Sequence, residues 1–80
     1  MRRDDATLLD LTQACERLGR FLAGKSREAF LADELVQSAV LHQLLIIGEA
    51  AKRLSFEFRA ASPEMPWTEM AGMRDKLIHE

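Results

Sequence analysis

The segment from Asp33 to Leu54 limits what this chain can fold into more than any other. Read as a helix, it is apolar on nearly every side. Such a helix has to be buried nearly all round, and an 80-residue chain with two or three other helices can hardly cover it. The segment therefore predicts an all-α bundle that forms a homodimer. Its apolar residues are Leu35, Val36, Ala39, Val40, Leu41, Leu44, Leu45, Ile46, Ile47, Ala50, Ala51 and Leu54.

The segment before it also predicts a helix. No stretch of the chain alternates apolar and polar residues, and tyrosine is absent, so no strand is expected. A first helix is predicted from about Asp4 to Ala23, with a stop at Gly24. Its apolar seam places Cys15 in the core, where a thiol is inert. The seam consists of Leu8, Leu11, Cys15, Leu18 and Leu22.

Capping and proline signals divide the rest of the chain. Ser26 is expected to cap a short turn before the long helix. Pro63 and Pro66 end the element before them, and Pro66 fits the first turn of a last helix that runs to His79. Because 80 residues make one domain at most, residues 1–80 are interpreted as a single domain, and no repeat or low-complexity stretch occurs in it.

Composition narrows the functional classes. With a net charge of −2, any contact with RNA has to come from a local cluster of cations. The longest uncharged run, residues 35–48, is too short to span a membrane, and the N-terminus lacks the apolar core of a secretory signal. One cysteine and two histidines predict neither a disulfide nor a metal site, and no cofactor is expected. The cytoplasm is the expected compartment.

One line of the long helix is polar. It comprises Ser38, His42 and Glu49 and continues with Lys52 and Arg53. It is either a solvated edge, in which Glu49 pairs with Arg53 at i,i+4, or a polar seam that lines a cleft or a dimer interface. The periodicity alone favours the solvated edge.

Arg74 breaks the pattern of the last helix, because it falls near the centre of the apolar face. Either its stem lies along the surface with the charged head in water, or its guanidinium points into a partly buried cleft that could hold a phosphate. Gly72 is costly inside a helix, and the close approach of another backbone would explain its presence. The apolar face consists of Trp67, Met70, Ala71, Met73, Leu77 and Ile78.

His79 lies about 140° around a regular helix from Arg74, so the two side chains cannot meet on one undistorted helix. They would converge if the helix ended near Lys76 and the chain turned, or if two copies brought their last helices together. Asp75, four residues before His79, could hydrogen-bond the imidazole. Arginine and histidine suit RNA cleavage without a metal: the 2′-hydroxyl attacks its own phosphate, histidine moves the proton, and arginine stabilises the developing charge.

The sequence resembles the HepT-like members of the HEPN superfamily, ribonuclease toxins encoded beside a small nucleotidyltransferase antitoxin. The resemblance covers MRRDDATLLDL at the start, IIGEAAKRLS (46–55), PEMPW (63–67) and AGMRDKLIHE (71–80). The signature of the superfamily is an arginine, then a polar residue, then a histidine four to six positions after the arginine. Arg74, Asp75 and His79 match it one by one.

This resemblance implies a fold, an activity and a partner. The fold is an antiparallel helical bundle that dimerises with its two motifs facing one another in a cleft, and the activity is metal-independent RNA cleavage. Arg74 would clamp phosphate, His79 would transfer a proton, and Asp75 would orient the histidine. The partner would be the cognate nucleotidyltransferase antitoxin. Weaker candidates for RNA contact are Lys76, Lys52 and Arg53.

The end of the sequence departs from the family pattern. In the HepT branch the motif continues H-x-Y, and the antitoxin adds AMP units to that tyrosine. This sequence stops at Glu80, one position before the tyrosine, so it is expected to lack both the modification acceptor and the C-terminal helix that usually follows. An alternative function is therefore a non-catalytic helical dimer that binds the nucleotidyltransferase partner or a nucleotide.

Overall fold

Five α-helices make up the described part of the chain. A computed structural model describes the backbone of residues 2–79 and the side chains of residues 3–78. The helices are α1 (Arg2–Leu22), α2 (Arg27–Leu31), α3 (Glu34–Arg53), α4 (Phe56–Ala61) and α5 (Trp67–His79). Because these residues contain no strand, the predicted all-α fold is confirmed.

The helix ends follow local capping chemistry. Gly24 has a φ of 71°, the left-handed conformation that commonly ends a helix and that suits glycine. Ser26 caps α2, because its hydroxyl oxygen accepts a hydrogen bond from Ala29 N–H at 3.0 Å. Asp33 caps α3 in the same way, with its carboxylate 3.1 Å from Val36 N–H. The predicted stop at Gly24 and the predicted cap at Ser26 are confirmed.

Helix α4 lies where no element was predicted. Ser55 caps it, accepting a hydrogen bond from Phe58 N–H at 3.1 Å. The carboxylate of Asp4 accepts two bonds from Ser55 in turn, from the backbone N–H at 2.9 Å and from the hydroxyl at 2.6 Å. The hydroxyl bond, followed by the backbone bond, lowers the pKa of Asp4 below its usual range. The start of α1 is thereby fastened to the start of α4.

The core forms where α3 packs between α1 and α5. Trp67 opens α5 and is nearly buried, with its indole N–H donating to the Ser62 carbonyl at 3.0 Å. Its ring meets Phe58 of α4 edge-on, with centroids 6.1 Å apart. These contacts attach the start of α5 to α4 and to its C-terminal cap, Ser62. The buried cluster consists of Leu11, Ala14, Ile47, Ala50, Ala51, Leu54 and Trp67.

The face that α1 buries differs from the predicted seam. Cys15 is exposed, contrary to the prediction, and Leu8 and Leu22 are also exposed. The cause is the inward position of Asp4, whose bonds to Ser55 fix the rotation of α1 about its axis. Within the predicted seam, Leu11 is buried and Leu18 packs against the core; the other buried residues of α1 are Asp4, Thr7 and Ala14.

Much of α3 is left uncovered by the rest of the described chain. Leu35 is 80% exposed and Leu41 is 41% exposed, and on α5 Ile78 is 50% exposed. This exposure agrees with the argument that so short a chain cannot bury its long helix; the homodimer itself stays a prediction. No helix within residues 2–79 combines the length and apolarity needed to cross a bilayer.

Candidate active site

The candidate site is built where α5 passes over α3 at Gly48. A Cβ added to Gly48 would lie 2.6 Å from Arg74 Cβ and 3.1 Å from the Met70 carbonyl oxygen. No larger residue fits that space unless the helices separate. Gly48 therefore allows α5 to lie directly against α3, and the contact fixes the point from which the Arg74 side chain leaves its helix.

Two carboxylates hold the Arg74 guanidinium. Its Nε lies 3.1 Å from Glu49 Oε1, and its Nη1 lies 3.2 Å from Asp75 Oδ1. The side chain is 37% exposed. The two sequence interpretations of Arg74 are thus both incomplete: the stem is packed at Gly48, and the charged head is paired rather than freely hydrated.

The pairing extends to two further cations. Lys52 Nζ lies 3.2 Å from Asp75 Oδ1, and Arg53 Nε lies 3.6 Å from Glu49 Oε2. Arg53, Glu49, Arg74, Asp75 and Lys52 therefore form one continuous row of charges across α3 and α5, the charge network. It contains three cations and two carboxylates, so its formal charge is +1 in a chain whose net charge is −2. An anion meets a local excess of positive charge here.

Asp75 is oriented by cations. The hydrogen bond from Lys52, followed by that from Arg74, lowers the pKa of its carboxyl below the usual range. Asp75 is thus ionised at neutral pH and can hold both cations in place. The predicted hydrogen bond between Asp75 and His79 involves a side chain outside the described residues, and Glu80 also lies outside them.

The backbone of α5 continues through His79, so the chain does not turn near Lys76. That predicted route by which Arg74 and His79 could converge is wrong. On a regular helix the two Cα atoms are about 140° apart in rotation and roughly 7 Å apart along the axis. The other route, through a second copy of the chain, stays a prediction. Lys76 is exposed and lies on the side of α5 away from Arg74, about 160° in rotation.

The pairing of Glu49 with Arg74 is the site contact that sequence reasoning missed. The predicted i,i+4 pairing of Glu49 with Arg53 is confirmed, but the shorter contact is with Arg74. The polar line of α3 therefore divides: Ser38 and His42 form an exposed edge, whereas Glu49, Lys52 and Arg53 belong to the charge network. Two features of the sequence indicate this contact: a glycine directly before a glutamate in an apolar helix, and an arginine on the apolar face of another helix.

The charge network offers hydrogen-bond donors to an anion. The carboxylates occupy Nε and Nη1 of Arg74, while Nη2 has no hydrogen-bond partner among the described residues. A guanidinium with a free edge suits a phosphate oxygen. Within residues 3–78, no three His, Cys, Asp or Glu side chains are grouped as metal ligands.

The match to known proteins covers this whole region. The family model described as "Ribonuclease HepT-like" matches residues 11–80, which include every member of the charge network and His79. The chain belongs to the HepT-like ribonuclease family. Its similarity to individual proteins extends over most of its length, as three relatives illustrate.

A protein of Thermococcus cleftensis named "Probable ribonuclease HepT" is 47% identical over 72 residues, covering 90% of this chain and 66% of the relative. A protein of Caldanaerobacter subterraneus subsp. tengcongensis, named as a candidate RNase, is 49% identical over 70 residues, covering 88% and 62%. One of Methanocaldococcus jannaschii with the same kind of name is 36% identical over 75 residues, covering 94% and 62%. The chain thus spans slightly less than two thirds of the length of these relatives. No solved structure matches it.

Proposed function

We propose that this chain is the ribonuclease subunit of a toxin–antitoxin pair and cleaves RNA without a metal ion. The observation that carries the proposal is the position of Arg74, which is half-buried at Gly48 and held by Glu49 and Asp75. An arginine fixed in this way can stabilise charge on a phosphate without first being ordered by the substrate. Membership of the HepT-like ribonuclease family supports the same activity.

The proposed reaction is an internal transfer at one phosphate. The 2′-oxygen of the ribose forms a bond to phosphorus, and the bond from phosphorus to the 5′-oxygen of the next nucleotide breaks. One proton leaves the 2′-hydroxyl and one is delivered to the departing 5′-oxygen. His79 has the proton-transfer role, and Arg74 stabilises the negative charge that develops on the phosphate oxygens. The products are a 2′,3′-cyclic phosphate and a 5′-hydroxyl.

The site is proposed to lie between two copies of the chain. Because α5 is a helix through His79, the Cα atoms of Arg74 and His79 in one copy lie about 140° apart around its axis. A second copy that places its own α5 opposite would supply the missing group on each side. The uncovered apolar side chains of α3 and α5, among them Leu41 and Ile78, provide surface for such an interface.

Three further cations are proposed to contact the RNA backbone. Lys52 and Arg53 lie in the charge network, so they are close to the proposed phosphate position. Lys76 is exposed on another side of α5 and would reach a more distant phosphate. The proposed protein partner is a nucleotidyltransferase antitoxin, which the HepT-like membership favours.

The direct test is cleavage of a single-stranded RNA of mixed sequence by the purified protein with a metal chelator present. Arg74→Ala and His79→Ala are each expected to lower the rate by about 100-fold or more, since each removes a group used in the transition state. Arg20→Ala, an exposed arginine outside the charge network, is the control and should leave the rate unchanged. Intact mass is checked for every sample.

Mass spectrometry of the products adds a chemical criterion. The proposed mechanism yields 2′,3′-cyclic phosphate ends and leaves 2′-O-methyl RNA uncut. Cleavage that persists in both the Arg74→Ala and His79→Ala proteins, or products with other ends, contradicts the proposal.

A second candidate is an interaction module that binds its partner or a nucleotide without cleaving RNA. The observation that favours it is the pairing within the charge network, where Lys52, Arg53 and Arg74 each already have a carboxylate partner. Under this function, the wild-type protein would not cleave RNA, so Arg74→Ala would have no cleavage activity to remove. Partner or nucleotide binding would then be the measurable activity.

A further inference from the structure

A groove between α1 and α3 adjoins the charge network. Its volume is about 290 Å³, close to the lower end of ligand pockets at roughly 300 Å³. Ile46 and Ala50 contribute an apolar surface. Glu49 and Arg53 line it as well, so the groove and the Arg74 site share two side chains. A molecule bound at Arg74 could therefore continue into the groove.

Two charged side chains in the groove have no partner within the described part of the chain. Asp10 and Arg17 both come from α1 and line the groove, yet neither makes an ion pair or a side-chain hydrogen bond with another described residue. Glu49 and Arg53, in contrast, are paired to each other. Asp10 and Arg17 are thus the charged groups in this groove that remain available to a ligand, beside the uncharged polar side chains of Thr7 and Gln13.

Their spacing suits a flat ring held between them. Seven residues apart, Asp10 and Arg17 lie on the same side of α1 and are separated by roughly 10 Å along its axis. A carboxylate accepts two hydrogen bonds side by side, and a guanidinium donates two side by side. The ligand that completes both pairs needs two neighbouring donors on one edge and two neighbouring acceptors on another, together with apolar faces for Ile46 and Ala50.

We infer that this groove is a subsite for a guanine base of the RNA, next to the phosphate held by Arg74. The inference rests on the proposed ribonuclease function for the nature of the ligand. Guanine carries the neighbouring donors N1–H and N2–H, which match the Asp10 carboxylate. Its neighbouring acceptors O6 and N7 match Arg17, the commonest arginine contact to a base.

The other three bases fit this pair of groups less well. Adenine has one exocyclic donor and no O6, so it offers neither two adjacent donors to Asp10 nor the O6/N7 pair to Arg17. Cytosine and uracil lack N7 and also lack two adjacent ring-edge donors of the guanine type. The arrangement therefore selects guanine rather than purines in general.

Binding of uncleavable RNA tests the inference without relying on activity. The probes are fluorescent 2′-O-methyl pentamers of uridine whose central base is guanine, hypoxanthine, 7-deazaguanine or adenine, and the readout is anisotropy. The guanine pentamer should bind the wild-type protein about 10-fold more tightly than the adenine pentamer. Hypoxanthine, which lacks the N2 amino group, and 7-deazaguanine, which lacks N7, should each lose about 5-fold.

Two variants assign each discrimination to its side chain. Asp10→Asn should bind the guanine and hypoxanthine pentamers about equally, while keeping the preference for guanine over 7-deazaguanine. Arg17→Gln should bind the guanine and 7-deazaguanine pentamers about equally, while keeping the preference for guanine over hypoxanthine. Glu16→Gln and Arg20→Gln are the controls, because both lie on α1 outside this groove and should retain every preference.

The outcomes separate this inference from the ribonuclease proposal. Equal affinity for all four pentamers, or no binding at millimolar concentrations, overturns the guanine subsite even if ordinary RNA is cleaved. If Asp10→Asn and Arg17→Gln both still distinguish the four pentamers as the wild type does, the roles assigned to Asp10 and Arg17 are overturned. Discrimination that follows the expected pattern while ordinary RNA remains uncut supports the subsite and contradicts the ribonuclease proposal.

Discussion

Glu49 serves two surfaces at once, since it pairs with Arg74 across the α3–α5 contact and lines the groove between α1 and α3. Its carboxylate orients the guanidinium and also places a negative charge beside the proposed phosphate position. The first effect should favour catalysis and the second should oppose binding. A residue with opposed effects is best tested by measuring the two separately.

Glu49→Gln is expected to lower kcat for RNA cleavage by about 10-fold to 100-fold, because Arg74 loses the charged partner that positions it. The KM for RNA should fall at the same time, since the formal charge of the network rises from +1 to +2. Steady-state kinetics measure both parameters. Glu57→Gln, an exposed glutamate on α4, should change neither. A rise in KM would contradict the electrostatic role.

Asp4 provides a second test of a single residue, in which the pH dependence of the protein's stability is measured. Its folded-state pKa is lowered, so its contribution to stability is complete above the ordinary aspartate pKa of about 3.9 and is lost as pH falls through the folded-state value. Asp4→Asn should lower the Tm at pH 7, and the difference from wild type should shrink towards pH 2. Thermal unfolding followed by circular dichroism at several pH values measures this.

Asp5→Asn is the matched control for Asp4→Asn. Asp5 is exposed, and within the described residues it makes no side-chain hydrogen bond. Its replacement should shift the Tm only slightly and without the same pH dependence. A Tm difference for Asp4→Asn that stays constant down to pH 2 would show that the carboxylate charge is not what stabilises the contact with Ser55.

Single residues differ in how far the sequence could predict them. Arg74 was predicted as a site residue because a charge on an apolar helix face is visible in the sequence alone. Its pairing with Glu49 was not, because the two residues are 25 positions apart and meet only through the register of α5 on α3. Gly48 sets that register, and no periodicity reports it.

At the scale of the helices, the packing of α5 against α3 depends on the close contact at Gly48. Gly48→Ala would place a Cβ 2.6 Å from Arg74 Cβ and 3.0 Å from its backbone nitrogen. Neither atom is at the end of a flexible side chain, so α5 has to move. The expected cost is about 1–3 kcal/mol of unfolding free energy, together with a loss of RNA cleavage. Urea unfolding and the cleavage assay measure the two effects.

Gly19→Ala is the matched control for Gly48→Ala. Gly19 also lies inside a helix, but no described atom beyond the neighbouring backbone of its own helix lies within 4 Å of an added Cβ. Alanine there should raise the unfolding free energy by up to about 1 kcal/mol through helix propensity alone. If both variants are stabilised, the close contact at Gly48 is not a constraint on α5.

Element-level prediction succeeded where the information is local and failed where it is not. The stop at Gly24, the caps and the long helix follow from neighbouring residues. The buried face of α1 does not, because the contact that rotates it joins Asp4 to Ser55, 51 positions away. Helix α4 has a local signal in Ser55, but at six residues it is too short for periodicity to detect.

For the whole molecule, the homodimer is the prediction on which the proposed site depends. If each site takes Arg74 from one copy and His79 from the other, mixed Arg74→Ala and His79→Ala proteins should regain activity that neither has alone. Random exchange gives half heterodimers, each with one intact site of two, so about a quarter of wild-type activity is expected. Recovery is measured in the RNA cleavage assay after subunit exchange.

The control for this mixing experiment is a protein that carries both substitutions. Mixed with either single variant, it should restore nothing. Sedimentation equilibrium gives the mass, which should be twice 9.1 kDa. A dimer whose mixed variants stay inactive would place both groups of each site on one chain, and a monomer with full activity would remove the need for a second copy.

A role for Gly72 in the dimer is a further prediction for the whole molecule. Its helix position was attributed to the close approach of another backbone, and within the described chain no atom beyond the neighbouring backbone of its own helix lies within 4 Å of a Cβ added there. In the proposed dimer, a second copy would supply such an approach. Gly72→Ala is expected to weaken the dimer at least 10-fold while the helical content is kept, as measured by sedimentation and circular dichroism. An unchanged dimer affinity would assign Gly72 no packing role.

The contact between Gly48 and Arg74 also gives a diagnostic for database searches. An arginine followed by a histidine five positions later occurs by chance in many unrelated sequences. A glycine–glutamate pair whose glycine lies 26 positions before that arginine is a far rarer coincidence, and in this chain the two patterns are one physical unit. Homologues that keep the arginine but carry a larger residue in place of Gly48 should therefore be sorted as candidates for loss of the enzymatic role.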